Sequence, residues 1–337
     1  MKIRDTLRGC TVGRMQSVGY MQIIPLLSEV QDEDVGCPDD LEVQTHGYGR
    51  MGFSNPTENP VIVPLNAAYV ISKAAQNHAM VKAGIVGKHG SKIFSDAACI
   101  QQTQGGLIPK GKYDLRILPY ALREVAISRR GSENCGKIWP EIAEFNSSMG
   151  LEKSRGGHLE VFLDAFDKQL GQFVAEFEVV QQQVGAIILV DGSIVGVERA
   201  PSYDYWKSVW PALIRECYGS LAIYVQKTKE KKGKTPPVTR VPLPKKVASL
   251  EELSSELAKV CAKEDQKVRD IVNDLIDKEF VSKREEGGSG MDTDVVDNEQ
   301  FIGQVVKKGD RVVYASFVTK KKYADNRVWY EAAPFQI

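Results

Sequence analysis

Val184-Gly-Ala-Ile-Ile-Leu-Val190, then Asp191-Gly192, then Ser193-Ile-Val-Gly-Val-Glu198 is the stretch from which the fold is best read. Two apolar runs meet at an Asp-Gly pair, which supplies the positive φ angles of a type I′ turn, so the segment predicts a β-hairpin. Downstream, Tyr203 to Tyr224 predicts a helix with Trp206, Trp210, Leu213, Ile214, Cys217 and Leu221 on one side. Pro211 must sit in its first turns or kink it. Phe301 to Val318 predicts a second hairpin turning near Lys308-Gly309-Asp310. Both hairpins carry an early glycine, Gly185 and Gly303, and a central turn glycine. They read either as a weak internal repeat or as two half-buried hairpins that look alike.

Upstream, Leu159 to Glu178 is the clearest helical pattern, with Phe162, Phe166, Leu170, Phe173 and Phe177 on one face. Such a stripe reads as core rather than as a cofactor box. Leu118-Pro119 followed by Tyr120-Ala-Leu-Arg-Glu-Val-Ala, and Ile138 to Met149, predict two more helices with early prolines. Before about residue 120 the chain is β-rich, with apolar runs at Tyr20 to Leu27, Pro60 to Ser72, Ala79 to Val86 and Ile93 to Gln102 between Gly, Pro and Asn. Ser249 and Glu252 form a capping box for a helix that reaches toward Phe280. The expected fold is α+β: a β-rich N-terminal half, sandwich- or barrel-like, helices packed on it, and two β-hairpins in the C-terminal half. Residues 1–225 form the core, 226–247 a basic, proline-containing linker or loop, and 248–337 a helix plus hairpin packed on the same core.

The 337 residues carry 44 Lys and Arg against 44 Asp and Glu, and 42% are hydrophobic, which excludes disordered, collagen-like and disulfide-scaffold proteins. Zero net charge removes the whole-molecule field that draws proteins to DNA or anionic bilayers. The balance is a cancellation of blocks. Ser28 to Glu42 holds seven acids and no base, Gln226 to Val247 eight bases and one acid, and Arg284 to Glu299 six acids and one base. No apolar run is long enough to span a membrane, and no apolar segment follows the basic start to make a signal peptide. The expected location is cytoplasmic. Six scattered cysteines suit reduced thiols better than a disulfide or zinc framework.

Several short motifs invite chemistry. His46-Gly-Tyr-Gly-Arg-Met-Gly-Phe53 contains a literal GxGxxG, but Pro56 and Pro60 preclude the helix that a dinucleotide site needs. The same residues echo an RNA-recognition strand, with Arg50 where a stacking aromatic is wanted. Gln76-Asn77-His78 sits between two strand-like runs, where amides and an imidazole can bond a ligand or satisfy a turn. Gln101-Gln-Thr103-Gln104-Gly-Gly106 could line the same cleft or end a strand. Lys229, Lys231 and Lys232 could touch phosphates, or lie on a solvated loop. The four histidines lack ligand spacing, so no metal and no cofactor is expected.

Taken together, Ile24-Pro25-Leu26, Asn55, Pro60-Val61, Gln76-Asn77, Cys99-Ile100, Leu118-Pro119, Leu122-Arg123, Ile138-Trp139, Val184-Gly185, Gly196, Trp210 and Leu213 resemble the pattern of a largely uncharacterised family. It is the ARG and rhodanese-phosphatase-superfamily-associated domain, and the resemblance spans nearly the whole chain. His78 stands where that pattern has arginine, Gln101 where it has an acid, and the closing tryptophan has no counterpart near Leu107. The resemblance implies a context of ADP-ribose or nucleotide metabolism, and no established reaction.

The leading expectation is a binding or adaptor protein, since no acid, base, nucleophile or metal set is recognisable. Its partner would be a small nucleotide-like ligand or another protein, and the charge blocks could pair two copies. The alternatives are an enzyme acting on a nucleotide or ADP-ribosyl group, with Gln76, Asn77 and His78 orienting substrate near Thr103 or Gln104, and an RNA- or DNA-binding protein.

Overall fold

A computed structural model describes residues 1–71, 77–102, 105–132, 137–151, 156–237 and 247–324. Its elements begin with α1 (Ile3–Thr6), β1 (Thr11–Val12), β2 (Gln16–Val18), β3 (Met21–Leu27), β4 (Glu42–Gly47) and β5 (Arg50–Ser54). Short strands follow: β6 (Val61–Val63), β7 (Ala67–Tyr69), β8 (His78–Ala79), β9 (Gly84–Val86), β10 (Ser91–Phe94), β11 (Ala98–Cys99) and β12 (Arg116–Ile117). Then come α2 (Tyr120–Ser128), α3 (Trp139–Ser148), α4 (Leu159–Ala165), α5 (Asp167–Glu176), β13 (Gln183–Val190), β14 (Ser193–Arg199) and α6 (Tyr203–Ala212). A π-helical turn, Leu213–Tyr218, leads into α7 (Gly219–Lys231). The chain continues with α8 (Leu250–Ile276), β15 (Val281–Arg284), β16 (Asp292–Asp297), β17 (Phe301–Lys308), β18 (Arg311–Thr319) and α9 (Lys321–Ala324).

The Asp-Gly hairpin forms as the sequence predicts. Asp191 has φ 53 and Gly192 φ 78, the left-handed pair of a two-residue turn. Its strands sit at the middle of a nine-stranded antiparallel sheet ordered β1-β3-β13-β14-β18-β17-β16-β15, with β2 paired to β3. Alternation along β13 fixes the two faces. Ala186, Ile188 and Val190 join the large core with α2 to α7 and the N-terminal strands. Ile187 and Leu189 join a second core closed by α1 and α8 through Ile3, Val268 and Leu275, with Phe280 from the segment after α8. The result is a three-layer α+β arrangement. The smaller sheets, β10-β5-β4, β11-β8-β7-β12 and β6-β9, are open, so the barrel alternative fails: no closed barrel occurs among the described residues.

The two hairpins meet at the middle of the sheet. Strands β14 and β18 pair across the sheet centre, with Glu198 opposite Ser316. An ideal Cβ on Gly185 would lie 2.2 Å from the Glu198 carbonyl oxygen, and one on Gly303 2.1 Å from that of Ser316. Both glycines therefore admit the same close approach of the neighbouring strand. From this central pair outward the strands read β14-β13-β3 on one side and β18-β17-β16 on the other, an order compatible with either reading of the hairpins.

Three expectations change. The helix over 159–178 is interrupted at Phe166 (φ −113, ψ 12), although all five stripe residues remain buried. A single non-helical residue leaves the apolar spacing nearly intact, so periodicity does not reveal it. Residues 226–231 of the basic segment are helical, as the end of α7, while 238–246 lie outside the described residues. Cys99 is disulfide-bonded, whereas Cys10, Cys37, Cys217 and Cys261 are free. That corrects the expectation of six reduced thiols, because spacing along a chain does not report which cysteines meet across a fold.

Candidate functional site

The amide and imidazole cluster comes together, but inside the protein. Cys99 in β11 is the register partner of His78 in β8. His78 Nε2 accepts the Gly49 N–H at 2.9 Å and lies 3.3 Å from Cys99 Sγ. Asn77 Oδ1 accepts the Ile71 N–H at 2.8 Å, and the Asn77 N–H donates to Gln101 Oε1 at 3.4 Å. Asn77, His78 and Gln101 are all buried, and each serves backbone geometry. Gln76, Thr103 and Gln104 lie outside the described residues. The GxGxxG stretch is the β4–β5 hairpin, with Gly49 at φ 67. Arg50 is exposed there. Lys229 pairs with Asp191 at 2.5 Å over the Tyr20 ring, and Lys231 and Lys232 are exposed at the end of α7.

The charged centre of the molecule is Arg123 on α2, fully buried. Its Nε donates to Asn66 Oδ1 at 3.0 Å, Nη1 to Glu198 Oε1 at 2.7 Å, and Nη2 to Ser316 Oγ at 2.5 Å. Tyr218 donates to the same Glu198 oxygen at 2.6 Å. Glu198 and Ser316 are the paired residues at the middle of the sheet, so one guanidinium joins both hairpins. A buried charge persists only when paired and bonded in this way. Cys217 lies 3.5 Å from Arg123 Nη1. Burial pushes its thiol up to about 12 despite the nearby guanidinium. At pH 8 roughly one part in 10,000 would be thiolate. Iodoacetamide should therefore leave Cys217 unlabelled in the native protein and label it on unfolding, as mass spectrometry would read; rapid native labelling would contradict the enclosure.

Cys217 and Tyr218 belong to the π-helical turn, and the next face of that turn opens on a cleft. Pro211 lacks the N–H that a helix interior needs and crowds the preceding turn. Shortly afterwards the backbone widens: the Gly219 N–H donates to the Ile214 carbonyl, five residues back. A Cβ on Gly219 would lie 2.7 Å from that carbonyl oxygen and 3.1 Å from Phe173, so glycine permits the widening. π-turns gather at functional sites. Here the turn sends Cys217 and Tyr218 inward and places Arg215 and Glu216 on the wall of a cleft of about 490 Å³.

Glu216 is 2% exposed. Its Oε1 accepts Arg116 Nη1 at 2.7 Å and also Arg215 Nη1. Its Oε2 is enclosed without a hydrogen-bond partner among the described residues. Burial raises the Glu216 carboxyl pKa even with both arginines beside it. Arg215 also holds Asp167. Lys112, Tyr113, Asp114, Asp39 and Ser208 complete the rim and floor. The Asp39 pKa is raised by burial and by Asp40 and Asp114, against Lys112. The cleft thus combines two guanidiniums fixed by one carboxylate, a lysine, a phenol ring and two further acids. It can meet an anion and hydroxyl donors together. None of Asn77, His78 and Gln101 lines it. Among the described residues, no group of three or more His, Cys, Asp or Glu could hold a metal ion. No described helix is long and apolar enough to cross a membrane.

Fold and cleft together define an α+β protein built on an open antiparallel sheet with a mixed-charge cleft at a π-turn. The chain matches no curated protein and no solved structure. It belongs to the family of the ARG and Rhodanese-Phosphatase-superfamily-associated Protein domain, whose model matches residues 9–318. Arg123 and Gly185, two of the residues behind the sequence resemblance, lie at the sheet centre described above. Arg116, Arg215 and Glu216 went unnoticed in the sequence. The one signal for them was Pro211 inside an otherwise helical pattern.

Proposed function

We propose that the protein binds a small phosphorylated ligand of the nucleotide or sugar-phosphate class in the π-turn cleft. The observation that carries this is the Arg116–Glu216–Arg215 clamp. A buried carboxylate holds two planar guanidiniums on an open wall, an arrangement suited to phosphate oxygens at little ordering cost. Asp39 and Asp114 offer acceptors for ribose hydroxyls, and Tyr113 a ring face. The family's name supports the same direction through its association with ARG and rhodanese-phosphatase superfamilies. In titration calorimetry and thermal shift with AMP, ADP-ribose, ribose 5-phosphate and inorganic phosphate, at least one phosphorylated compound should bind and raise the melting temperature. Arg116→Gln should weaken it roughly tenfold to hundredfold, the worth of a charge-assisted hydrogen bond. If no compound binds, or Arg116→Gln binds as the parent does with its circular dichroism unchanged, the proposal fails.

The raised carboxyl of Glu216 supports a second reading, an enzyme acting on a nucleotide or ADP-ribosyl group, since such a group can hold and pass a proton. Chromatography of ADP-ribose and nucleotides after incubation would decide, and unchanged compounds would leave the binding reading alone. A ligand site at Asn77, His78 and Gln101, with Gln76, Thr103 and Gln104, is tested by the same panel with Asn77→Ala. The four free thiols support a reducing compartment such as the cytoplasm, and the Cys99 disulfide is the feature that points the other way.

A further inference from the structure

A second cleft, of about 430 Å³, lies where the β15–β16 edge of the nine-stranded sheet meets the smaller sheets. Four bases reach it from four separate places: Lys82 from the turn before β9, Lys92 from β10, Arg130 from the turn that follows α2, and Lys283 from β15. Its floor is apolar, with Ile85, Phe94 and Val295. A Cβ on Gly84 would lie 2.3 Å from the Phe94 ring, so glycine lets that ring settle into the floor. Val295 is buried yet belongs to neither core.

Three acids, Asp96, Glu285 and Glu286, share the lining, and they use up the four bases unequally. Asp96 is enclosed and takes Lys82 at 3.0 Å and the Gly131 N–H at 3.3 Å. Glu285 accepts Gln304 Nε2 with one oxygen and stands 3.5 Å from Arg130 Nε with the other. The Arg130 guanidinium donates no hydrogen bond among the described residues, and its Nη1 is enclosed without a partner there. Glu286 holds Lys92 at 3.1 Å but is 71% exposed, and surface pairs of that kind contribute little. Lys283 is exposed and pairs with no acid among the described residues. The next charges along the same edge, Arg284 with Asp292 and Lys307 with Asp294, are closed pairs.

Arg130, Lys283 and Lys92 are thus the cations with donors left over. We propose that this cleft binds a small organic polyanion, whose two or more acid groups, carboxylate or phosphate, reach these three side chains while its carbon skeleton lies on the Ile85, Phe94 and Val295 floor. A guanidinium meets either kind of acid through two parallel hydrogen bonds, and a cleft of this volume suits a small molecule. As the ligand enters, Glu286 gives up Lys92 and turns into water. The site shares no lining residue with the π-turn cleft, and neither reading depends on the other.

Titration calorimetry of the full chain with citrate and with fructose 1,6-bisphosphate separates the two kinds of acid, and acetate is the single-charge control. At least one polyanion should bind with a Kd below about 1 mM, and acetate should not bind. Arg130→Gln should weaken that binding roughly tenfold to hundredfold, the worth of charge-assisted hydrogen bonds. Lys283→Gln should weaken it several-fold with circular dichroism unchanged, since this lysine supports no other side chain. Glu286→Gln should tighten it several-fold by freeing Lys92, and Arg116→Gln in the π-turn cleft should leave it as it is. The proposal is overturned if neither polyanion binds, if acetate binds as tightly, or if Lys283→Gln binds as the parent does. It is overturned as well if Glu286→Gln binds no more tightly than the parent. Loss of binding in Arg116→Gln but not in Arg130→Gln would place the anion in the π-turn cleft, overturning this site while supporting the other.

Discussion

Arg123→Met should lower stability by about 3–5 kcal/mol, the usual cost of leaving one partner of a buried ion pair alone. The guanidinium is wholly enclosed and bonded to Asn66, Glu198 and Ser316. Its removal strands the Glu198 carboxylate at the sheet centre with only the Tyr218 hydroxyl. The urea midpoint of the purified variant should fall accordingly. Replacing both partners, Arg123→Met with Glu198→Met, should recover a substantial part of the loss, since an apolar pair of similar volume carries no desolvation cost. A single variant within about 1 kcal/mol of the parent would show that the network contributes specificity but little stability.

Gly303→Ala should cost about 3 kcal/mol, at the upper end of overpacking effects. The added Cβ would lie 2.1 Å from the Ser316 carbonyl oxygen and 2.5 Å from Phe317 Cα. These are backbone atoms of a paired strand, so no side-chain rotation relieves the contact. Gly185→Ala meets the equivalent oxygen of Glu198 at 2.2 Å and should behave alike. Gly171→Ala is the control. That glycine is inside α5, and a methyl group added to it would have nothing within 4 Å, so the substitution should stabilise by about 0.4–1 kcal/mol. Equal midpoints for the alanine variants at 303 and 171 would refute the close-approach account.

What the sequence made legible was local. Asp191-Gly192 announced its turn, the Phe162-to-Phe177 stripe its burial, and Ser249 with Glu252 a helix start, because each depends on residues within a few positions of one another. The charge blocks were visible too, but not their destinations. Asp32 and Asp34 of the acidic N-terminal segment pair with Arg311 and Lys308 at the β17–β18 turn, and Asp294 with Lys307 at 2.6 Å. The acidic blocks are thus neutralised largely by bases from outside the basic block. The cleft was illegible for the same reason. Arg116 and Glu216 lie a hundred residues apart, and only the return of the chain across β12 and the π-turn brings them together. Asn77, His78 and Gln101 were found as a cluster, yet polarity in sequence does not distinguish side chains aimed at a ligand from those bonded to their own backbone.

The enclosure of Arg123 also sets an order of events during synthesis. Its partners come from residue 66, from residues 198 and 218, and from residue 316 in the last strand. A nascent chain that has emerged only as far as α7 holds the arginine and its glutamate but not the strand that closes over them. Contacts this distant in sequence slow folding, because long loops must close before they are rewarded. The central sheet should therefore become protected against hydrogen exchange only when β18 has left the ribosome, and fragments ending before residue 301 should remain dependent on chaperones however well their first hairpin forms.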